Sequence, residues 1–199
     1  MTTIALLILG KSDRELEEFL GRSPGAEAEC QLTLVANPNK HLGGYAAIAN
    51  PFLERIGQTI QVVGVAHADT VFEDGAIAAI AGEAIDPENR ITGIVGRSVD
   101  GRYIWGRKEA GEVSTLDSCS VFMPTCLDLR FDGENFDDFH CLVEDLCLQA
   151  GARGIRSFVP RANADHIGGI DRAEDWLTNY QRYRQVLMNK WCDRPFTTT

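Results

Sequence analysis

Positive charge is scarce in this 199-residue chain: Lys and Arg number 19 against 29 Asp and Glu, a formal charge of -10 at pH 7. The basic stretches that track a phosphate backbone are missing, which excludes nucleic acid as a partner. Long apolar runs are missing too. The run over residues 4–9 is far shorter than the roughly 20 residues of a membrane span and has neither a basic leader nor a small-residue cleavage site. No transmembrane or targeting segment is therefore expected, and the protein is placed in the cytoplasm. Proline is sparse at 7, and with 44% hydrophobic and 24% charged residues the composition excludes disorder, collagen and coiled coil. Cys-x-x-Cys spacing is absent among Cys30, Cys119, Cys126, Cys141, Cys147 and Cys192. A domain this large buries roughly 70% of its unfolded surface and needs no staple, so the cysteines are expected to be reduced and mostly buried. The four histidines, His41, His67, His140 and His166, fall at no recognised ligand spacing from them, which argues against a cysteine–histidine zinc cluster.

What is present is an alternation of strand and helix. Residues 3–9 form an apolar run closed by Gly10, and Ser12 with Glu15 makes a capping-box pattern that opens a short helix. Residues 30–36 predict a second strand, ended by Asn37, Pro38 and Asn39. Gly43 and Gly44 then lead into a helix over 45–56, as a simple turn or as a backbone cradle for phosphate. A third strand over 59–66, an alanine-rich helix over 73–85 and a fourth strand over 91–99 come next. These strands are apolar nearly throughout, as strands covered on both faces are. The alternation predicts an α/β fold with an open, mostly parallel sheet flanked by helices. In the second half the patterns predict strands over 102–105, 113–123 and 155–159 and helices over 138–152 and 171–190. No repeat, low-complexity tract or linker interrupts the chain, so 1–199 is expected to be a single domain.

Ligands of open parallel sheets bind beyond the carboxyl ends of the strands, where His67, Ala68 and Asp69 succeed the third strand. With one residue between them, His67 and Asp69 point the same way if the backbone stays extended, and both could approach one divalent ion or its water. The competing reading has Asp69 capping the helix that begins near Glu73 while His67 packs. Farther on, Phe139, Leu142, Val143, Leu146, Cys147 and Ala150 form one apolar helical stripe with Glu144 and Asp145 on opposite flanks. The two carboxylates read as a solvated face, or one of them as a general base at a cleft rim that takes a proton from a hydroxyl.

Several segments together carry a resemblance: Leu-Asp-Ser-Cys-Ser-Val-Phe-Met-Pro at 116–124, Arg130-Phe131-Asp132, Phe136-Asp137-Asp138-Phe139-His140, Glu144-Asp145-Leu146-Cys147-Leu148-Gln149-Ala150, and the late His166. In order and spacing they resemble the second half of nucleotide-sugar glycosyltransferases of the GT-A fold, family 2 and its relatives, most strongly over residues 64–168. They correspond to that family's strand after the metal motif, its Phe-Asp-Glu turn, and the Glu-Asp helix whose Asp is the catalytic base. His67-Ala68-Asp69 stands where the family carries its Asp-x-Asp metal motif.

The resemblance implies a hexosyltransferase that inverts configuration while moving one sugar from a nucleotide-sugar donor to a carbohydrate or other hydroxyl acceptor. It implies a donor-binding half over 1–100 and an acceptor and catalytic half over 101–199. A divalent ion, Mn²⁺ or Mg²⁺, is implied on Asp69, His67 and His166 to neutralise the diphosphate leaving group, with Asp145 as base beside Glu144. Asn37, Asn50, Asp117 and Asp132 are implied in substrate binding. The acidic balance agrees, since a protein of charge -10 needs a cation to offset a diphosphate. The chain departs from the family pattern at His67, which replaces an Asp, and at Asn37, which replaces an acidic residue. The Gln-x-x-Arg-Trp motif of processive synthases is absent, so single transfer is expected over polymerisation.

His166 has a second reading as a capping or packing residue in a loop over 162–169. The closing helix carries an aromatic stripe of Trp176, Tyr180, Tyr183, Leu187 and Trp191, which reads as packing on the domain, an acceptor platform or an oligomer seam. Two alternatives stand beside the transferase. One is a sugar- or nucleotide-binding protein that keeps the fold without turnover, motivated by His67 and Asn37. The other is a sugar nucleotidyltransferase, ranked lower because Gly10-Lys11-Ser12-Asp13 lacks the Gly-rich, basic signature those enzymes place after the first strand.

Overall fold

A computed structural model describes residues 2–38, 41–85, 89–168, 176–194 and 196. The first apolar run forms β1 (Ile4–Gly10), succeeded by α1 (Asp13–Arg22), α2 (Ala26–Glu29), β2 (Gln31–Ala36), α3 (Tyr45–Arg55), β3 (Val62–His67), β4 (Thr70–Phe72) and α4 (Ala76–Ile85). Then come β5 (Ile91–Thr92), β6 (Val95–Arg97), β7 (Tyr103–Trp105), β8 (Gly111–Val113), β9 (Thr115–Leu116), β10 (Ser120–Pro124), α5 (Leu142–Ala152), β11 (Ser157–Val159), β12 (Ala164–His166) and α6 (Trp176–Lys190).

The main sheet runs β2-β1-β3-β10-β5-β11-β8. All of its strands except β10 and β8 point one way, because β10 is antiparallel to both β3 and β5, and β8 to β11. The mostly parallel sheet read from the strand pattern is therefore correct. Its apolar strands feed two cores, since successive side chains leave a strand on opposite faces. Ile4, Leu6 and Ile8 of β1 join the core beneath α1, α2 and α4. Leu7 joins the core beneath α3, α5 and α6. Val62 and Ala66 of β3 divide from Val63 and Val65 in the same way, as does Phe122 from Val121 and Met123 in β10. The result is a sheet covered by helices on both faces.

The first helix begins as its pattern predicts: the Ser12 hydroxyl accepts from the Glu15 N–H at 3.3 Å. The return bond differs, with Glu15 reaching past Ser12 to the Lys11 N–H at 2.6 Å. Three elements are shorter than their apolar pattern. The predicted strand over 91–99 divides into β5 and β6 at Gly93, where any Cβ would stand 2.7 Å from the Ser120 carbonyl. Beyond that point the chain leaves the main sheet for a three-stranded one, β7-β6-β9. The predicted strand over 113–123 breaks where the Asp117 carboxylate accepts from the Cys119 N–H at 2.9 Å, an Asx turn that separates β9 from β10. The predicted helix over 138–152 starts only at Leu142, because Cys141 adopts a left-handed φ of 60° at its N-cap. The 171–175 part of the predicted closing helix lies outside the described residues.

All six cysteines are free thiols: Cys119, Cys141 and Cys147 buried, Cys30 half-buried, Cys126 and Cys192 exposed. Among the described residues, no helix is long and apolar enough to cross a membrane. The stripe on α6 packs inward, with Tyr183 and Leu187 buried in the core and Tyr180 and Trp191 against it; the side chain of Trp176 lies outside the described residues. The Gly43–Gly44 pair serves a tight turn, with Gly43 at φ +88° and Gly44 so close to Asp137 that a Cβ would stand 2.0 Å from its carbonyl oxygen.

Candidate metal and transfer site

Three strands end where the candidate ligands begin. β1 and β3 are parallel with Leu9 opposite His67, so β3 delivers His67 to the carboxyl edge of the sheet. Asp69 lies in the turn into β4. Asp69 is not next to a helix start, since β4 intervenes before α4, and β12 pairs antiparallel with β4 to set His166 opposite Thr70. The loop over 162–169 is thus partly a strand, and that pairing brings His166 to Asp69. The His166 Nε2 stands 3.3 Å from Asp69 Oδ1. The main chain fixes the register again just beyond, where the Ile167 N–H donates to the Asp69 carbonyl at 3.0 Å. Gly168 then presses on the carboxylate so closely that a Cβ there would lie 1.6 Å from Asp69 Oδ2.

One ligand atom each from His67, Asp69 and His166 lies within 4.8 Å of the others. A second set, Asp117, Cys119 and His166, meets the same limit and shares His166. Cys119 and His166, distant in sequence, are adjacent in the fold, a proximity that spacing along the chain does not show. The ring of His67 is flanked edge-on by Tyr45 at 5.6 Å and Phe139 at 5.5 Å.

Electrostatics couple these groups. Burial pushes the His67 pKa down, more than the nearby Asp69 carboxylate raises it. Burial alone would raise Asp69, but the His166 and His67 rings outweigh it and bring the carboxyl down to about 2. Burial would likewise lower His166, yet the Asp69 carboxylate, with Asp117 and Asp165 behind it, leaves its pKa raised. Burial and the Asp117 carboxylate push the Cys119 thiol well up. The donor set fits a cation: a carboxylate and two imidazoles each offer one ligand atom within 4.8 Å of the others, and Asp69 Oδ1 and His166 Nε2, both buried, pair with each other at 3.3 Å.

Asp145 and Asp132 belong to a second cluster. Asp145 is fully buried and Glu144 nearly so, which corrects the expectation of a solvated face. Asp145 faces the end of α6: it accepts from Trp191 Nε1 at 2.7 Å, from Gln149 Nε2 at 2.8 Å, and from Lys190 Nζ at 2.8 Å and 3.0 Å. Lys190 also binds Asp132 at 2.7 Å. Asp132 further caps the N–H groups of Glu134 and Asn135 at 3.1 Å each. Burial would raise Asp132, but Lys190 and Asn135 bring it down to about 2. Burial would lower Lys190, but Asp132 and Asp145 raise it.

The remaining substrate-binding candidates are engaged locally. Asn37 accepts from the Leu42 N–H and donates to the Gly43 carbonyl, both at 2.9 Å. Asn50 holds Phe131 through both its N–H and its carbonyl, at 3.0 Å and 2.8 Å. Asp117 is engaged locally too, in its turn with Cys119, and also stands in the second ligand set. Sequence reasoning missed the places of Cys119 and Lys190 and read Trp191 only in the aromatic stripe. The signal for Cys119 was its one-residue spacing from Asp117, the same spacing as His67 and Asp69.

No protein-family model matches the sequence, and no curated protein matches it either. Solved structures do. The fold is shared with S. aureus TarS. One crystal structure of that protein superposes at a TM-score of 0.57 with 15% identity, covering 94% of this chain and 40% of that one. A crystal structure of its residues 1-349 gives a TM-score of 0.54 at 15% identity, with 94% and 66% covered. The chain thus spans less than two thirds of the length of either. The architecture is GT-A-like and Rossmann-related, as the resemblance implied.

Proposed function

We propose that the chain is a metal-assisted glycosyltransferase of the family 2 kind that moves one hexose from a nucleotide-sugar donor to a carbohydrate or other hydroxyl acceptor. The observation that carries this reading is the convergence of His67, Asp69 and His166 at the carboxyl ends of parallel strands, where such sheets bind ligands. A divalent cation held there supplies the positive charge that offsets a diphosphate in a protein of charge -10. Asp69 and the two imidazoles would hold that ion, which would supply the charge that orients the diphosphate, and Lys11, just past β1 and near enough to act on His67, adds a fixed cation nearby.

Asp145 is the proposed acceptor of the hydroxyl proton, with Glu144 its neighbour in the first turn of α5. That role requires Lys190 and Trp191 to leave the carboxylate, because they and Gln149 occupy its oxygens. Inversion results from direct attack of the deprotonated hydroxyl on the anomeric carbon of the donor sugar, as the bond from that carbon to the diphosphate oxygen breaks and the nucleoside diphosphate leaves.

Calorimetry with UDP, GDP and dTDP sugars, with divalent cation and with EDTA, tests the reading. The nucleotide is expected to bind only with the cation, and Asp69→Asn is expected to abolish that binding with the fold retained. Equal affinity in EDTA removes the metal from the mechanism. Once an acceptor is known, Asp145→Asn is expected to lower turnover by roughly 10² to 10⁴ with donor binding unchanged. Near-full turnover per folded molecule in that variant makes Asp145 an anchor of α6 alone.

A further inference from the structure

A divalent cation is all that the proposed transfer requires; the donors around it are more selective. Where the resembling family carries two carboxylates, this chain offers two imidazoles and one carboxylate, His67, His166 and Asp69. Mg²⁺ and Ca²⁺ are hard ions that take oxygen ligands, and Mg²⁺ demands a near-octahedral set of them. Imidazole nitrogen favours Zn²⁺ and its neighbours among the transition metals. Two histidines and a carboxylate with a fourth position left open are the ligand set of zinc sites that exchange water. Here the open side is Asp69, whose side chain is 43% exposed.

The dimensions agree. Around a tetrahedral ion with bonds of about 2.0–2.2 Å the donors stand about 3.3–3.6 Å apart. The three ligand atoms already lie within 4.8 Å of one another, so closure takes small side-chain shifts. Asp69 Oδ1 and His166 Nε2, both buried, already stand 3.3 Å apart, the separation of two ligands on one tetrahedral ion.

We propose that His67, Asp69 and His166 select a zinc-class transition ion over Mg²⁺ and Ca²⁺. The inference rests on the metal role proposed above and adds the class of ion. Its test uses the whole chain, stripped with a chelator and free of nucleotide, titrated with Co²⁺ and monitored by the visible d–d absorption. Zn²⁺, Mn²⁺, Mg²⁺ and Ca²⁺ then compete. Zn²⁺ and Co²⁺ are expected to bind at least about 100-fold more tightly than Mg²⁺, with Mn²⁺ between. Asp69→Asn and His166→Ala are each expected to weaken Co²⁺ by at least about 10-fold, and Cys119→Ser to leave it unchanged. The competition in the unaltered protein needs no variant to fold.

Mg²⁺ competing on equal terms overturns the proposal, as does Co²⁺ binding that survives both ligand variants. A thiolate-to-cobalt band in the near ultraviolet that vanishes in Cys119→Ser overturns it too, by placing the ion on Asp117, Cys119 and His166. Adding a nucleoside diphosphate separates this result from the transferase reading. Zinc-class preference without any gain in nucleotide affinity upholds the ion and removes the transferase; Mg²⁺-dependent nucleotide binding without that preference does the reverse.

Discussion

Gly168 shows how narrowly the site is built at the level of single residues. Its Cα occupies space beside the Asp69 carboxylate where a methyl group would lie 1.6 Å from Oδ2, and that atom belongs to a side chain the site needs in place. Gly168→Ala must therefore displace either Asp69 or the end of β12. We expect it to weaken metal binding about 10- to 100-fold, the usual cost of disturbing a ligand's supports, with the far-UV circular dichroism unchanged. Unaltered Co²⁺ affinity in Gly168→Ala would show that Asp69 does not bind the ion. His67 makes a related point: a histidine between Tyr45 and Phe139 resembles an aromatic core residue, and only the carboxylate and imidazole beyond it make it a candidate ligand.

Among the elements, α6 is tied to the rest of the molecule by charge as well as by packing. Lys190 bridges Asp132 and the fully buried Asp145, so removing its ammonium leaves a buried carboxylate without its counter-charge. Breaking a buried pair costs about 3–5 kcal/mol, and because the Lys190 side chain is 30% exposed we expect Lys190→Met to lose about 3 kcal/mol in urea unfolding. The pH dependence has a definite sign. Asp132 is lowered from 3.8 to about 2 in the folded state, so its contribution is complete above about pH 4 and is lost as pH falls through about 2. Lys190 is raised from 10.5, so its contribution is complete below that value and is lost as pH rises through the folded pKa. The stability gap between the unaltered chain and Lys190→Met should accordingly narrow from about pH 4 to about pH 2; a constant gap would mean that Lys190 acts through packing alone. At the other end of the chain Ser12→Ala removes only a cap, and about 1 kcal/mol is expected from it.

Across the whole molecule, one sheet serves two cores. β1, β3 and β10 each send alternate side chains into both, so neither helical layer can be lost without exposing strands that the other covers. A single cooperative transition is expected, with circular dichroism and the fluorescence of the three tryptophans falling on one curve in urea. Two separated curves would mean that the halves over 1–100 and 101–199 unfold independently. The same architecture gathers the ligands: β3 brings His67 and Asp69 to the sheet's carboxyl edge, β10 begins directly after Asp117 and Cys119, and β12 returns to β4 with His166.

Local pattern was enough for the layered fold. Continuous apolar strands, helices between them and the Ser12 cap are set by propensity and burial within short windows, and each appears close to where its residues predict it. Even the partnership of His67 and Asp69 was legible, because one residue of spacing on an extended chain leaves little choice. What no local pattern contains is contact across the chain. The break at Gly93 depends on the Ser120 carbonyl, and the burial of Asp145 on Lys190 and Trp191 arriving from α6. The meeting of Cys119 with His166 depends on β12 pairing with β4. Burial of a charged side chain depends on the counter-charge that the completed fold sets beside it, and that neighbour is chosen by topology rather than by spacing along the chain.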